Sequence, residues 1–467
     1  MAKSVQRASL PLFLLLVCLG TVASRSNVRH LPGFSGSLPF ELETGYIGAD
    51  EDDDVQLFYY FIKSERNPAK DPLILWLSGG PGCTSFYGLA YETGPLTFKK
   101  VKYDGTLPTL ELNPHSWTKV ANIIFLDAPV GTGFSYSNTL QASLTGDTKS
   151  AIQTYTALRK WFIDHPEFLS NPFYISGDSY IGVVIPLLVL EVSDGNKGEI
   201  EPAINLKGYT LGNPLTDWRI DNNGKIPFAH GMGLISDELY ESLKRNCKEE
   251  YYDVDPSNKE CHKDLEAFSE CVSGLEISQI LEPKCLRASP KPNENTGGLR
   301  RSLNDNSSKV LRSPPPVPGF ECRSYVRILS YHWANDDRVQ EALNVRKGKV
   351  QEWLRCNHDL PYTADIVSSI EHHASLSKRG YRSLIYSGDH DLTITFKGTE
   401  AWIKSLNYSI VDDWRPWTVD AQVAGYTRTY ANKMSFVTVK GGGHTAPEYK
   451  PKECFAMFDR WISRNPL

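Results

Sequence analysis

Ser179 stands in Gly177-Asp178-Ser179-Tyr180-Ile181-Gly182, directly after the run Phe173-Tyr174-Ile175-Ser176 and before Val183-Val184-Ile185. A strand, a glycine-bounded sharp turn and a helix in that order lift one serine hydroxyl above a sheet, in the pattern of a nucleophile elbow. Taken alone the serine could equally cap a helix, since Ser is a favoured N-cap. An unaided hydroxyl is a poor nucleophile near neutral pH, so catalysis also needs a base and an acid that orients the base. Both are downstream. Asp389 and Asp391 follow the apolar run 382–387, and His444 follows the run 436–439. The turn Ser78-Gly79-Gly80-Pro81-Gly82-Cys83 follows a third apolar run and exposes backbone N–H groups that could hold an oxyanion. A plain tight turn is the commoner use of such glycines. Together these parts predict chemistry through a serine acyl-enzyme.

Such residues have to be held by a sheet. Pro72-Leu73-Ile74-Leu75-Trp76-Leu77 is almost continuously apolar, which predicts a central strand buried on both faces. Further strands are predicted over 55–62, 121–126, 171–175, 382–387 and 436–439, and a helix over 148–162. Strands alternating with helices give the α/β class, with a mostly parallel central sheet covered on both faces. The chain order Ser, Asp, His is that of an α/β-hydrolase and not of the chymotrypsin or subtilisin types. From 215 to 330 the character changes to charged helical segments (237–250 and 259–272). The stretch 287–318, rich in Pro, Ser, Asn and Arg, predicts an exposed, flexible and protease-sensitive linker. The expected organisation is a leader over 1–24, a first core part over 25–214, an inserted helical cap over 215–330 and a second core part over 331–467.

A net charge of -5 over 467 residues argues against nucleic acid or an acidic membrane as partner. Lys3 and Arg7 precede the apolar run 10–22 and the small residues Val22-Ala23-Ser24, which predicts a secretory signal peptide. No later run is long enough to span a bilayer, and Asn465-Pro466-Leu467 is no ER-retention signal. Of the nine cysteines, Cys18 would leave with the leader; the other eight, in an oxidising compartment, predict disulfides whose pairing spacing cannot fix. None of their spacings is that of a zinc site. Asn306 and Asn407 begin glycosylation sequons. The expectation is a glycoprotein of the secretory pathway, secreted or vacuolar.

The sequence resembles the serine carboxypeptidases and their plant serine carboxypeptidase-like relatives over nearly the whole mature chain. The resemblance is carried by the stretches 73–83 and 127–136, by Gly177-Asp178-Ser179-Tyr180, by Tyr386-Ser387-Gly388-Asp389-His390-Asp391 and by Gly442-Gly443-His444. It implies Ser179 as nucleophile, His444 as general base, Asp391 as the orienting acid, and the amides of Gly80 and Tyr180 as the oxyanion hole. Asp389 is the competing acid, expected instead to bond local backbone. The resemblance further implies the pairs Cys83–Cys356, Cys247–Cys261 and Cys285–Cys322 and leaves Cys271 and Cys454 unassigned; no metal or organic cofactor is expected, because the triad chemistry needs none. A bridge from Cys285 to Cys322 would hold two chains together after a cut in the linker.

Departures from the family pattern refine the functional expectation. Carboxypeptidases of the family usually carry Asn before the Gly-Gly and Glu before the nucleophile, which help hold the substrate's terminal carboxylate. Here these are Ser78 and Asp178, while Glu92 is kept. With Gly79, these residues are the expected substrate contacts. The pattern resembles the acyltransferase branch, which moves an acyl group from a 1-O-β-glucose ester through the serine to an alcohol or amine. The alternatives are a carboxypeptidase releasing C-terminal residues and a secreted, non-catalytic binding protein. Ile181, where the family carries Ala or Ser, could strain the elbow or narrow the acyl pocket. Thr395 replaces a frequent Pro.

Overall fold

Leu73–Leu77 is buried throughout and has a parallel neighbour on each side, as a strand with no polar face must. This holds in a computed structural model of the protein, which describes residues 25–285 and 318–467. The expected leader, nearly all of the expected linker and the Asn306 sequon lie outside the described residues.

Six parallel strands form the centre of one twelve-stranded sheet. In spatial order they are Asn122–Leu126, Leu73–Leu77, Phe173–Asp178, Leu206–Gly212, Arg382–Gly388 and Met434–Val439. Antiparallel wings extend both sides. Val55–Ile62, Leu42–Gly48 and Ser26–Val28 flank one edge, and Gln422–Tyr430 and Ile410–Val419 flank the other. The sheet is therefore mixed, with its parallel run confined to the middle, and the fold is that of an α/β-hydrolase. Two apolar cores, one on each face, contain Trp76, Trp117 and Trp333 on one side and Trp161, Ile185 and Trp402 on the other.

The central strands matter because their C-terminal ends converge. Leu73–Leu77 ends at Ser78, Phe173–Asp178 at Ser179, Arg382–Gly388 just before Asp391, and Met434–Val439 just before His444. Ligands of open parallel sheets bind beyond these ends.

Between Leu206–Gly212 and Arg382–Gly388 the described chain is largely helical, with Trp218–Asn223, Lys225–Gly231, Asp237–Cys247, Lys259–Val272 and Arg323–Ala334. Ser236 and Asn258 cap the third and fourth of these through side-chain oxygens. Cys247–Cys261 joins those two helices over a small core of Ile226, Ile235 and Leu243. The segment 277–280 laces this insertion to the sheet's C-terminal edge: His444 N donates to Ser278 O at 2.7 Å and Leu392 N to Ile277 O at 2.8 Å.

Candidate active site

Ser179 has φ 64°, a left-handed conformation that a non-glycine residue adopts only where the surroundings impose it. The surroundings are tight. A Cβ on Gly177 would lie 2.3 Å from Leu77 O, and one on Gly79 would lie 2.7 Å from both Ser179 Cβ and Tyr180 N. Glycine at both places lets the two strand ends approach closely enough to bring the Gly79-Gly80 turn beside the Tyr180 amide. Gly80 itself has φ 120°.

Ser179 Oγ lies 2.7 Å from His444 Nε2, and His444 Nδ1 lies 2.7 Å from Asp391 Oδ2. Asp391 is fully buried and accepts from Thr393 N, Ile394 N and Asn213 Nδ2, so donors surround its charge. Burial disfavours the His444 imidazolium, but the charge and hydrogen bond of Asp391 more than offset this and raise its pKa above the usual value. Asp389 sits elsewhere. It accepts from Gly441 N and pairs with His390, bonding its own loops. The arrangement is a hydroxyl, a base and an orienting carboxylate in hydrogen-bonded series, able to generate a serine alkoxide.

A cavity of about 310 Å³ opens onto Ser179 and His444. Ser78, Gly79, Gly80 and Asp178 line it, as do Tyr87, Arg327, Arg355 and Thr445. Beside it lie two buried acids. Glu92 and Asp178 are 1% and 3% exposed, and no described residue bonds either Glu92 oxygen or Asp178 Oδ1. Burial, reinforced by the charges of Asp178 and Glu448, pushes the Glu92 pKa well up; burial pushes that of Asp178 to about 7 against the attraction of His444. Ser78 Oγ is likewise buried without a described partner.

The serine carboxypeptidase family model matches residues 32–464. The chain belongs to this family. It is 54% identical over 461 residues to Serine carboxypeptidase-like 2 of Arabidopsis thaliana, with 98% of each chain covered. With Serine carboxypeptidase-like 7 of the same plant it shares 52% over 463 residues, covering 99% of each. A crystal structure of Kex1(Δp), a prohormone-processing carboxypeptidase from Saccharomyces cerevisiae, superposes with a TM-score of 0.72 at 22% identity, covering 94% and 95% of the two chains, and supports the fold.

This serine carboxypeptidase-family chain accommodates its unusual residues. Ile181 is buried in the sheet-helix core and leaves Ser179 within reach of His444. Thr395 caps the helix Phe396–Ser405, accepting from Gly398 N at 3.3 Å. The three disulfides are Cys83–Cys356, Cys247–Cys261 and Cys285–Cys322; Cys271 is exposed and Cys454 buried, both free. Asn407 is exposed at a left-handed position before the strand Ile410–Val419. No sequence signal pointed to Asn213, which follows the glycine ending Leu206–Gly212 and holds Asp391. Arg327 and Glu448 were also missed. Their ion pair, 2.6 Å between Nη2 and Oε2, joins the insertion to the helix after His444, with Tyr87 and Thr445 donating to the same carboxylate. Burial opposes that charge, but Arg327 and its neighbours keep Glu448 below the usual carboxylate range.

Proposed function

We propose that this protein takes an acyl group from a 1-O-β-glucose ester onto Ser179 and passes it to an alcohol or amine. The observation that carries the reading is the trio Ser78, Asp178 and Glu92: Ser78 and Asp178 line the Ser179 cavity, Glu92 is buried within reach of the Asp178 charge, and each has an oxygen that no described residue bonds. Two carboxyls whose pKa values burial raises, together with a hydroxyl, can both donate to and accept from a polyol. No described residue, Asp178 included, hydrogen-bonds either Glu92 oxygen. The shorter Asp is poorly suited to the paired-carboxyl hold on a peptide's terminal carboxylate.

In the proposed reaction His444 takes the Ser179 proton as Oγ bonds to the acyl carbon. The carbonyl oxygen becomes an oxyanion held by the amides of Gly80 and Tyr180. Collapse breaks the bond to the glucose C1 oxygen, which receives the proton from His444. The acceptor then gives its proton to His444 as it attacks the acyl-enzyme, and the second collapse returns Ser179 its proton. Asp391 accepts from His444 Nδ1 and holds the imidazole in place.

A carboxypeptidase would use the same groups with a peptide and water, and the retention of Glu92 favours that second reading. Against a non-catalytic binding protein stands the unbroken Ser179–His444–Asp391 series despite Ile181. The test supplies purified protein with a benzoyl or hydroxycinnamoyl glucose ester plus a pool of alcohols, and separately with a blocked dipeptide bearing a free C-terminus. Acyl transfer without peptide cleavage supports the proposal; cleavage without transfer makes the protein a carboxypeptidase. Fluorophosphonate labelling abolished by Ser179→Ala eliminates the binding-only reading.

The three disulfides support passage through an oxidising compartment, secreted or vacuolar. A cut within 287–318 would leave two chains joined by Cys285–Cys322, giving two bands on reducing gels and one on non-reducing gels.

A further inference from the structure

Tyr180 contributes more to the site than its amide. Its ring is buried, and its phenol donates to Asp147 Oδ1 at 2.9 Å. Tyr362 donates to the same oxygen at 2.6 Å, and Ile366 N donates to Asp147 Oδ2 at 2.8 Å. Asp147 is fully buried and is the first residue of the helix Asp147–Asp164. One carboxylate therefore clamps the side chain that follows the nucleophile, and it is itself held from a distant stretch of chain.

That stretch also holds the other half of the proposed oxyanion hole. Cys356 is bonded to Cys83, just after the Gly79-Gly80 turn, and Asn357 N donates to Gly82 O at 2.8 Å. Thr84 N donates to Arg355 O at 2.9 Å. A few residues later, Tyr362 and Thr363 pair in parallel with Thr145 and Gly146, immediately before Asp147. Residues 355–366 thus run as a strap from the Gly80 side of the hole to the Tyr180 side. Two amides on different loops stabilise an oxyanion only if their separation is fixed, because stabilisation of this kind depends on donors that need no rearrangement as charge develops.

We propose that Asp147, with Tyr180 and Tyr362 as its two phenol donors, is a positioning residue that fixes the Tyr180 amide relative to that of Gly80. The inference rests on the reading of Ser179 as nucleophile and of these amides as oxyanion donors. Tyr180→Phe keeps the ring and its edge contacts with Trp218 and Tyr362 but removes the donor to Asp147.

The experiment measures p-nitrophenyl ester turnover, fluorophosphonate labelling rate and thermal midpoint for the wild type, Tyr180→Phe, Tyr362→Phe and Asp147→Asn. A misplaced catalytic group can cost up to about 100-fold, so Tyr180→Phe is expected to lower kcat and the labelling rate roughly tenfold or more with KM unchanged. Tyr362→Phe should give a smaller loss of the same kind. Combining Tyr180→Phe with Asp147→Asn should add little to the larger single effect. Wild-type kcat in both phenol variants overturns the positioning role, as does a loss seen only in KM or in thermal midpoint. If Tyr180→Phe does not fold, Tyr362→Phe decides by the same readings. Wild-type protein that is unlabelled, or labelled independently of Ser179, overturns the underlying reading and the inference with it.

Discussion

Asp178 and Glu92 are both buried, and the charge of Asp178 adds to the cost of ionising Glu92, with no hydrogen bond from any described residue to either Glu92 oxygen. Asp178, which lines the cavity with a pKa raised to about 7, thus presents both protonated and ionised carboxyl near neutral pH instead of a ready-made hold on a carboxylate. A longer side chain at 178 and an amide at 78 would restore the pattern usual in carboxypeptidases. Ser78→Asn/Asp178→Glu is expected to gain cleavage of a blocked dipeptide and lose glucose-ester transfer. A hydrogen bond to a charged group contributes about 1.5–3 kcal/mol, so the gain in peptide kcat/KM should be on the order of 10- to 100-fold. No gain would mean that these two positions do not set the substrate class.

The charge of Asp178 also reaches His444. Its carboxylate helps raise the His444 pKa, after the larger effects of burial and Asp391. His444 acts as base only when neutral, so activity should rise with pH through that raised pKa. Removing a neighbouring anion lowers the pKa of an imidazolium. In Asp178→Asn the rising limb of the kcat/KM profile should therefore move to lower pH. A shift to higher pH would contradict this assignment.

Asp178 has the opposite linkage from a salt-bridged carboxylate. Its folded pKa, about 7, lies above the ordinary Asp value, so the folded state holds the proton more tightly than the unfolded chain. Its contribution to stability is complete below the ordinary pKa of about 4 and is lost as pH rises towards 7. Urea midpoints at pH 5 and pH 7 should therefore differ less in Asp178→Asn than in the wild type, with the wild type the more acid-favoured of the two.

Arg327 and Glu448 have side chains only 17% and 6% exposed. Arg327→Leu leaves a carboxylate buried without its cation, which typically costs about 3–5 kcal/mol. The double variant Arg327→Leu/Glu448→Leu removes both charges and should recover part of that loss in urea unfolding. A single variant as stable as the wild type would show that solvent reaches Glu448 freely.

Thr395→Ala deletes the cap of the helix that follows the Asp391 loop. Loss of such a cap costs about 1 kcal/mol and should appear as a lower urea midpoint. The Ser179 labelling rate should stay unchanged, because Asp391 keeps its bonds to Thr393 N, Ile394 N and Asn213.

Ser179, Asp391 and His444 were legible in the sequence because each lies just beyond a short apolar run, and burial on both faces marks such strands locally. The glycines around Ser179 were legible for the same local reason. The wing strand Ile410–Val419 was not, since it is largely solvent-exposed and lacks a clean apolar alternation. Only the tertiary structure decided which polar groups meet inside. Asn213 reaches Asp391 across 178 residues, Arg327 reaches Glu448 across 121, and Tyr362 reaches Asp147 across 215. Buried polar pairs have no sequence period: each side chain looks like any other Asn, Arg, Glu or Tyr until the sheet brings its partner within hydrogen-bonding distance. The sequence by itself therefore determined the family, the central strands and the place of Ser179 at the end of one of them. The packing decided which carboxyls keep their protons and which hold a charge, because that depends on the dielectric and donors that only the folded chain assembles.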